Sequence, residues 1–208
     1  MAAPVAETMA GTDYHLFTRW ELEATPGEVF DLIADASSYP QWWPSVFLEA
    51  RIVEPGDELG VGRVVEVRTA AHLLFALRWR YRVTSVRPSE RMAVETSGDL
   101  DGLGVWSFEP HDAHTVVRFN WRGAVTRSPF RQLPTFLRPL FRAGHRWGME
   151  RGFTSLLLEV WRRRTDDQEA RDWLPGPPGP AFPRNLRPRR PTGVGPQVSA
   201  GPRVVRLP

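Results

Sequence analysis

The 208-residue chain carries 27 basic residues, every one an arginine, against 24 acidic ones, for a formal charge of +3. With no cysteine it has no disulfide framework, cysteine-held zinc, iron–sulfur cluster or thiol nucleophile. No apolar run approaches the ~20 residues of a membrane-spanning helix, and Met1–Gly11 shows neither the basic start nor the apolar core of a signal peptide, so a cytoplasmic protein is expected.

Residues 1–12 carry no periodic pattern and are expected to be loose. Tyr14–Glu23 alternates, with Leu16, Thr18, Trp20 and Leu22 on one side, and this predicts a half-buried strand. Thr25-Pro26-Gly27-Glu28 reads as a capping box with proline in the first helical turn. Val29, Phe30, Leu32 and Ile33 then form the apolar face of a short helix ending near Ala36. Tyr39-Pro40-Gln41-Trp42-Trp43-Pro44 is limited by its prolines to one helical turn.

From Phe47 to Thr126 the chain reads as six strands joined by turns. Leu48–Val53 is followed by the turn Pro55-Gly56-Asp57 and by Arg63–Thr69. In Leu73–Val86, Phe75, Leu77, Trp79, Tyr81 and Val83 face one way, and Arg78, Arg80 and Arg82 the other. Arg91–Thr96, Leu103–Glu109 and Thr115–Val125 complete an antiparallel set, with Trp106 and Phe108 sharing a face of the second and Phe119 and Trp121 sharing a face of the third. A long helix is expected from Arg138 to at least Arg164, extending to Trp173 if Arg162 and Asp166 pair one turn apart. Its stripe includes Gly144, His145, Gly148, Met149, Gly152, Leu156 and Val160.

The charge divides at the end of that helix. Residues 174–208 hold ten of the 20 prolines, six arginines and no acid, and so carry +6. Residues 1–173 hold 21 arginines against 24 acids, a net of −3. The sequence pI of 10.1 therefore belongs to the tail. Such a composition buries too little apolar surface to offset the entropy of ordering, so 174–208 is expected to be disordered and 13–173 to form the domain. Arg184, Arg187, Arg189 and Arg190 suit weak polyanion contact, and no specific nucleic-acid partner is expected.

Strand, two short helices, six antiparallel strands and one long C-terminal helix is the order of the helix-grip fold. The stretch Pro26–Asp35 with Tyr39–Pro44, then Leu77–Val83, Gly98–Trp106 and His145–Gly152, resembles the START-like or SRPBCC superfamily in its polyketide cyclase/dehydrase and lipid transport branch. The likeness covers about residues 13–165. It implies an α+β domain in which a curved antiparallel β-sheet wraps around the C-terminal helix, leaving a deep cavity between them. Lipid carriers, hormone receptors, aromatase/cyclases and quinone-binding proteins belong to this superfamily, and fold alone does not choose among them.

On inward parity, the cavity wall comprises Phe75, Leu77, Trp79, Tyr81, Trp106, Phe108, Phe119 and Trp121 from the sheet, with His145 and Met149 from the helix. Aromatic, apolar lining with a few polar groups is what a hydrophobic ligand site requires; the other reading is that these rings simply fill the core. His145 is either a general base or hydrogen-bonding group for a ligand, with Tyr81 as its partner in acid–base chemistry, or a core histidine bonded to Tyr81 or the backbone. Gly144, Gly148 and Gly152 make a smooth stripe for close packing or for widening the cavity. In the superfamily the short helices border the cavity mouth, which implies that Trp42 or Trp43 gates entry or makes transient membrane contact; one of the pair is expected to anchor the helices and the other to be partly exposed. His111-Asp112-Ala113-His114 falls in a hairpin turn without a third ligand, so no metal is expected, and no cofactor motif occurs. The partner expected is a lipid, polyketide or quinone-like molecule, with a cofactor-free aromatase/cyclase or dehydrase as the alternative and a protein-interaction module as a third.

Overall fold

The alternating stretches become seven strands in the computed structural model, which describes residues 13–70, 76–126 and 138–181. In chain order these are β1 (Asp13–Leu22), α1 (Pro26–Ala34), a 3-10 turn (Ala36–Ser38), α2 (Tyr39–Trp42), β2 (Phe47–Glu54), β3 (Val64–Ala70), β4 (Ala76–Arg87), β5 (Arg91–Gly98), β6 (Leu100–His111), β7 (His114–Val125), α3 (Arg138–Arg164) and α4 (Gln168–Trp173). The strands form one antiparallel sheet in the order β1-β7-β6-β5-β4-β3-β2. This is the expected helix grip: a curved sheet with a long C-terminal helix against it.

Local chemistry sets the boundaries. Thr25 Oγ1 accepts from the Glu28 backbone N–H at 3.3 Å, while Glu28 Oε2 accepts from the Thr25 N–H at 2.8 Å, so the predicted capping box is formed. Asp112, at φ 51°, turns the hairpin that pairs His111 with His114. Register shifts between Phe47 and Glu49, Ile52 and Glu54, and Val83 and Ser85 bend β2 and β4. Gly102 lies opposite Gly123, and a Cβ on Gly123 would sit 2.1 Å from the Asp101 carbonyl, so β6 and β7 approach there closer than side chains permit.

The outward side of the sheet is a lattice of ion pairs. Arg51 and Arg80 flank Glu66, Arg82 holds Glu54 at 2.9 Å, and Arg68 holds Glu49 at 2.9 Å. Several of the domain's arginines are thus neutralised next to water, where each pair contributes at most about 1 kcal/mol.

Inside, Trp20, Leu32, Ile33, Trp42, Trp43, Leu156 and Val160 belong to one buried cluster that joins α1, α2 and the C-terminal half of α3. Helix α3 ends at Arg164 and does not run on to Trp173. The pairing that would have extended it is not made: Arg162 binds Glu159 at 2.8 Å and the Pro175 carbonyl at 3.2 Å. Thr165 Oγ1 donates to the Trp161 carbonyl, and Asp167 starts α4 afresh by accepting from the Glu169 N–H at 3.0 Å. Arg164 reaches back to α1 and clamps the Glu28 carboxylate through Nε at 2.6 Å and Nη2 at 2.7 Å. That hydrogen-bonded guanidinium, helped by the cap contacts from Thr25, lowers the Glu28 carboxyl to about 2. No helix among the described residues is long and apolar enough to cross a membrane.

Candidate functional site

Between the concave face of the sheet and the N-terminal half of α3 lies a cavity of about 180 Å³. Strand parity brings the wall together. Leu77, Trp79 and Tyr81 reach it from β4, Trp106 from β6, Phe119 and Trp121 from β7, and His145 and Met149 from α3. Of the other predicted residues, Trp43 lines the cavity, while Trp42 and Phe108 do not. Phe108 instead meets Phe30 of α1 edge-on, with ring centroids 5.6 Å apart, under the part of the sheet that α1 covers. Phe75 lies outside the described residues.

Trp42 and Trp43 correct the expectation that one of them is partly exposed. They are 1 % and 3 % exposed and stack at 5.4 Å. Trp42 Nε1 donates to Ser38 Oγ at 3.1 Å, and Trp43 Nε1 donates to the Gly148 carbonyl at 3.3 Å. The glycine stripe explains the second contact. A Cβ on Gly152 would come within 2.2 Å of the Trp43 ring, so glycine is what admits that indole against α3. Gly148 and Gly144, one and two turns earlier, border the cavity.

Several lining residues had no place in the sequence reading of the site. Tyr39 opens α2, Phe47 opens β2, and Met92 and Val94 come from β5. The β5 pair share the inward parity of Thr96, a signal available in the alternation of Arg91–Gly98. Phe141 enters by packing on Tyr14 at 4.6 Å, which no local pattern announces. Leu140, 43 % exposed, stands at the rim.

Among the described residues no charged side chain lines the cavity, and most of its polar atoms serve one another. Trp79 Nε1 donates to Thr69 Oγ1 at 3.0 Å. Trp121 Nε1 donates to Thr96 Oγ1 at 3.2 Å, and that hydroxyl donates onward to the Gly102 carbonyl. Tyr39 donates its phenol proton to the Ile33 carbonyl, and Tyr81 pairs with Tyr39. Burial pushes both phenols up, so they remain protonated at neutral pH.

His145 stands apart from these pairs. Its Nε2 is buried without a hydrogen-bond partner, and its ring lies nearly parallel to Phe119, with centroids 6.5 Å apart. Burial lowers its pKa to about 4, so the imidazole is neutral at pH 7. His111 and His114 sit opposite one another in the β6–β7 hairpin, and His114 Nε2 lies 3.7 Å from Glu23. Among the described residues no group of three or more His, Cys, Asp or Glu could hold a metal ion.

Residues 17–157 match the family described as polyketide cyclase/dehydrase and lipid transport. The chain belongs to this family. No curated protein sequence matches it. As a family member it shares its fold with the ZhuI aromatase/cyclase from Streptomyces sp. R1128, at 18 % identity and a TM-score of 0.62, covering 74 % of this chain and 97 % of that one. A START superfamily protein from Mycobacterium smegmatis aligns at 14 % identity and a TM-score of 0.59, over 72 % and 98 % of the two chains. A norcoclaurine synthase from Thalictrum flavum aligns at 15 % and 0.54, over 74 % and 98 %. At these identities the likeness is one of fold: the polyketide cyclase/dehydrase and lipid transport family in its helix-grip form.

Proposed function

We propose that this chain binds a flat hydrophobic small molecule (a lipid, polyketide or quinone-like compound) in the cavity under α3. One observation carries the reading: the space is walled by aromatic and aliphatic side chains, has no charged side chain among the described residues, and is left unfilled where the rest of the core is packed tightly. Protein interiors are close-packed and hold few voids larger than a water molecule. The size of this one supports a compact ligand. About 180 Å³ lies just above the ~150 Å³ of an apolar cavity that takes benzene and below the ~300–1,000 Å³ of larger ligand sites.

The test is native mass spectrometry of protein purified from its own host, joined to a thermal-shift panel of lipids and aromatic polyketides. A reproducible bound mass in the small-molecule range is expected. Ligand-free protein together with no shift across the panel would sink the proposal.

The unpartnered neutral His145 favours a second reading, a cofactor-free cyclase or dehydrase in which Nε2 removes a proton from a bound polyketide. Tyr81 suits the role of proton donor less well, because its hydroxyl is paired with that of Tyr39. Turnover of a poly-β-ketone that persists unchanged in His145→Ala would remove this reading and leave the first intact.

A further inference from the structure

The hydrogen bonds already made inside the cavity restrict what can enter it. The indole N–H groups of Trp43, Trp79 and Trp121 are each bound to protein oxygens, and the Thr96 hydroxyl is used as both acceptor and donor. Among the described residues, His145 and Trp106 differ. Nε2 of His145 is buried and unpartnered. The indole of Trp106, 8 % exposed, makes no hydrogen bond among the described residues. Both rings neighbour Phe119, which stacks on Trp106 at 4.3 Å and runs nearly parallel to His145 at 6.5 Å.

A ligand that carries an anion finds no countercharge among the described lining residues, and burying an unpaired carboxylate or phosphate is prohibitive. A wholly apolar ligand would leave Nε2 without a partner, at the penalty of a buried unsatisfied polar atom. A hydroxyl serves Nε2 whichever ring nitrogen carries the proton, donating to a bare nitrogen or accepting from a protonated one; a ketone or ether serves only the second.

We propose that the cavity selects an uncharged, hydroxyl-bearing aromatic, a phenol or an aryl alcohol, and turns away fatty acids and phosphate-headed lipids, with His145 as the specificity-determining residue. The lowered His145 pKa agrees, since it keeps the imidazole from supplying a cation to an acidic ligand at neutral pH. This selectivity rests on the reading of the cavity as a ligand site.

Three matched probes test it on the full chain at pH 7: 2-naphthol, 2-methoxynaphthalene and 2-naphthoate, titrated by calorimetry. The expected order is naphthol ahead of the methyl ether by roughly three- to tenfold, the worth of one net hydrogen bond, with no saturable binding of naphthoate. In His145→Phe, which keeps an aromatic ring beside Phe119, naphthol and the methyl ether should bind equally. Naphthoate binding as tightly as naphthol, or an undiminished hydroxyl preference in His145→Phe, overturns the selectivity while leaving the cavity a ligand site. Failure of all three probes to bind wild-type protein overturns the ligand-site reading itself, and the selectivity with it. Should His145→Phe not fold, as judged by circular dichroism, the order of the three probes on wild-type protein decides alone.

Discussion

The two halves of α3 are one helix with one small-residue stripe, yet they meet opposite surroundings. From Gly152 to Val160 the stripe is packed: Leu156 and Ser155 are fully buried, and the Trp43 ring lies directly against Gly152. From Leu140 to Met149 the same face looks into open space. The difference is the filler. Trp20 and Trp43, 5.9 Å apart, occupy the ground beneath the C-terminal half, and Trp20 continues to Phe153 at 6.2 Å. The lesson is that a glycine stripe has no single meaning. At 152 it admits an indole; at 144 and 148 it borders a cavity.

This contrast can be broken most directly at Leu156. Leu156→Ala removes a side chain with 0 % exposure and should lower stability by about 2–5 kcal/mol. Met149→Ala, on the cavity wall, should cost clearly less, because part of that side chain already faces space. Urea denaturation of both variants checks it, and equal losses would mean that the two halves are packed alike.

Acid sharpens the contrast from the cavity side. His145 has a folded pKa of about 4 against an ordinary 6.5. The unfolded chain takes up its proton first as pH falls. Its contribution is therefore complete above pH 6.5 and is lost progressively between 6.5 and 4, up to about 3 kcal/mol in all. Against wild type, His145→Phe should show a flatter stability profile between pH 6.5 and 5. Parallel profiles would mean that the imidazole is not desolvated.

Gly152→Ala comes next. The added methyl has to displace the Trp43 ring, with an expected loss of about 1–3 kcal/mol despite alanine's better helix propensity. Gly148→Ala meets only Val46 Cγ2 at 3.2 Å, so its change should be smaller or even favourable. Thermal unfolding of the pair measures the difference, and Trp43 fluorescence should move only in the Gly152 variant. The smallest effect is expected at Arg164→Ala. The Glu28 clamp it removes is half exposed, at 44 % and 35 %, so solvent screening limits the loss to about 1 kcal/mol or less. A larger loss would make that clamp, and not the packing under Leu156, the main fastening of the C-terminal half.

Much of the fold was legible because its signals are local. Thr25 and Glu28 are three residues apart, and their capping box forms as read. The alternation through Leu77, Trp79 and Tyr81 places those side chains on the cavity wall. Phe119 and Trp121 follow the same rule. Legibility failed where a residue's partner is distant in sequence. Phe108 has the inward parity of Trp106, but α1 covers that end of β6 and Phe30 fills the space. Helix α3 reaches Arg164 as read, and the further run to Trp173 is not made because Arg162 is drawn to Glu159 and Pro175 instead of to Asp166. Trp42 and Trp43 both went inside because Ser38 and the Gly148 carbonyl supply acceptors for their N–H groups.

By itself the sequence determined the order of elements, the faces of the strands, the lack of a cysteine thiol and the division of charge between a slightly acidic 1–173 and an arginine-rich 174–208. These follow from period, capping and composition, which act over a few residues. Only the tertiary structure decided which aromatic side chains wall the cavity and which fill the core, and which polar atoms remain free inside it. The physical reason is that a hydrogen bond is a matter of supply between partners. Trp121 meets Thr96 across 25 residues of chain and Trp43 meets Gly148 across 105, while His145 Nε2 finds nothing, and that remainder is what a ligand would read.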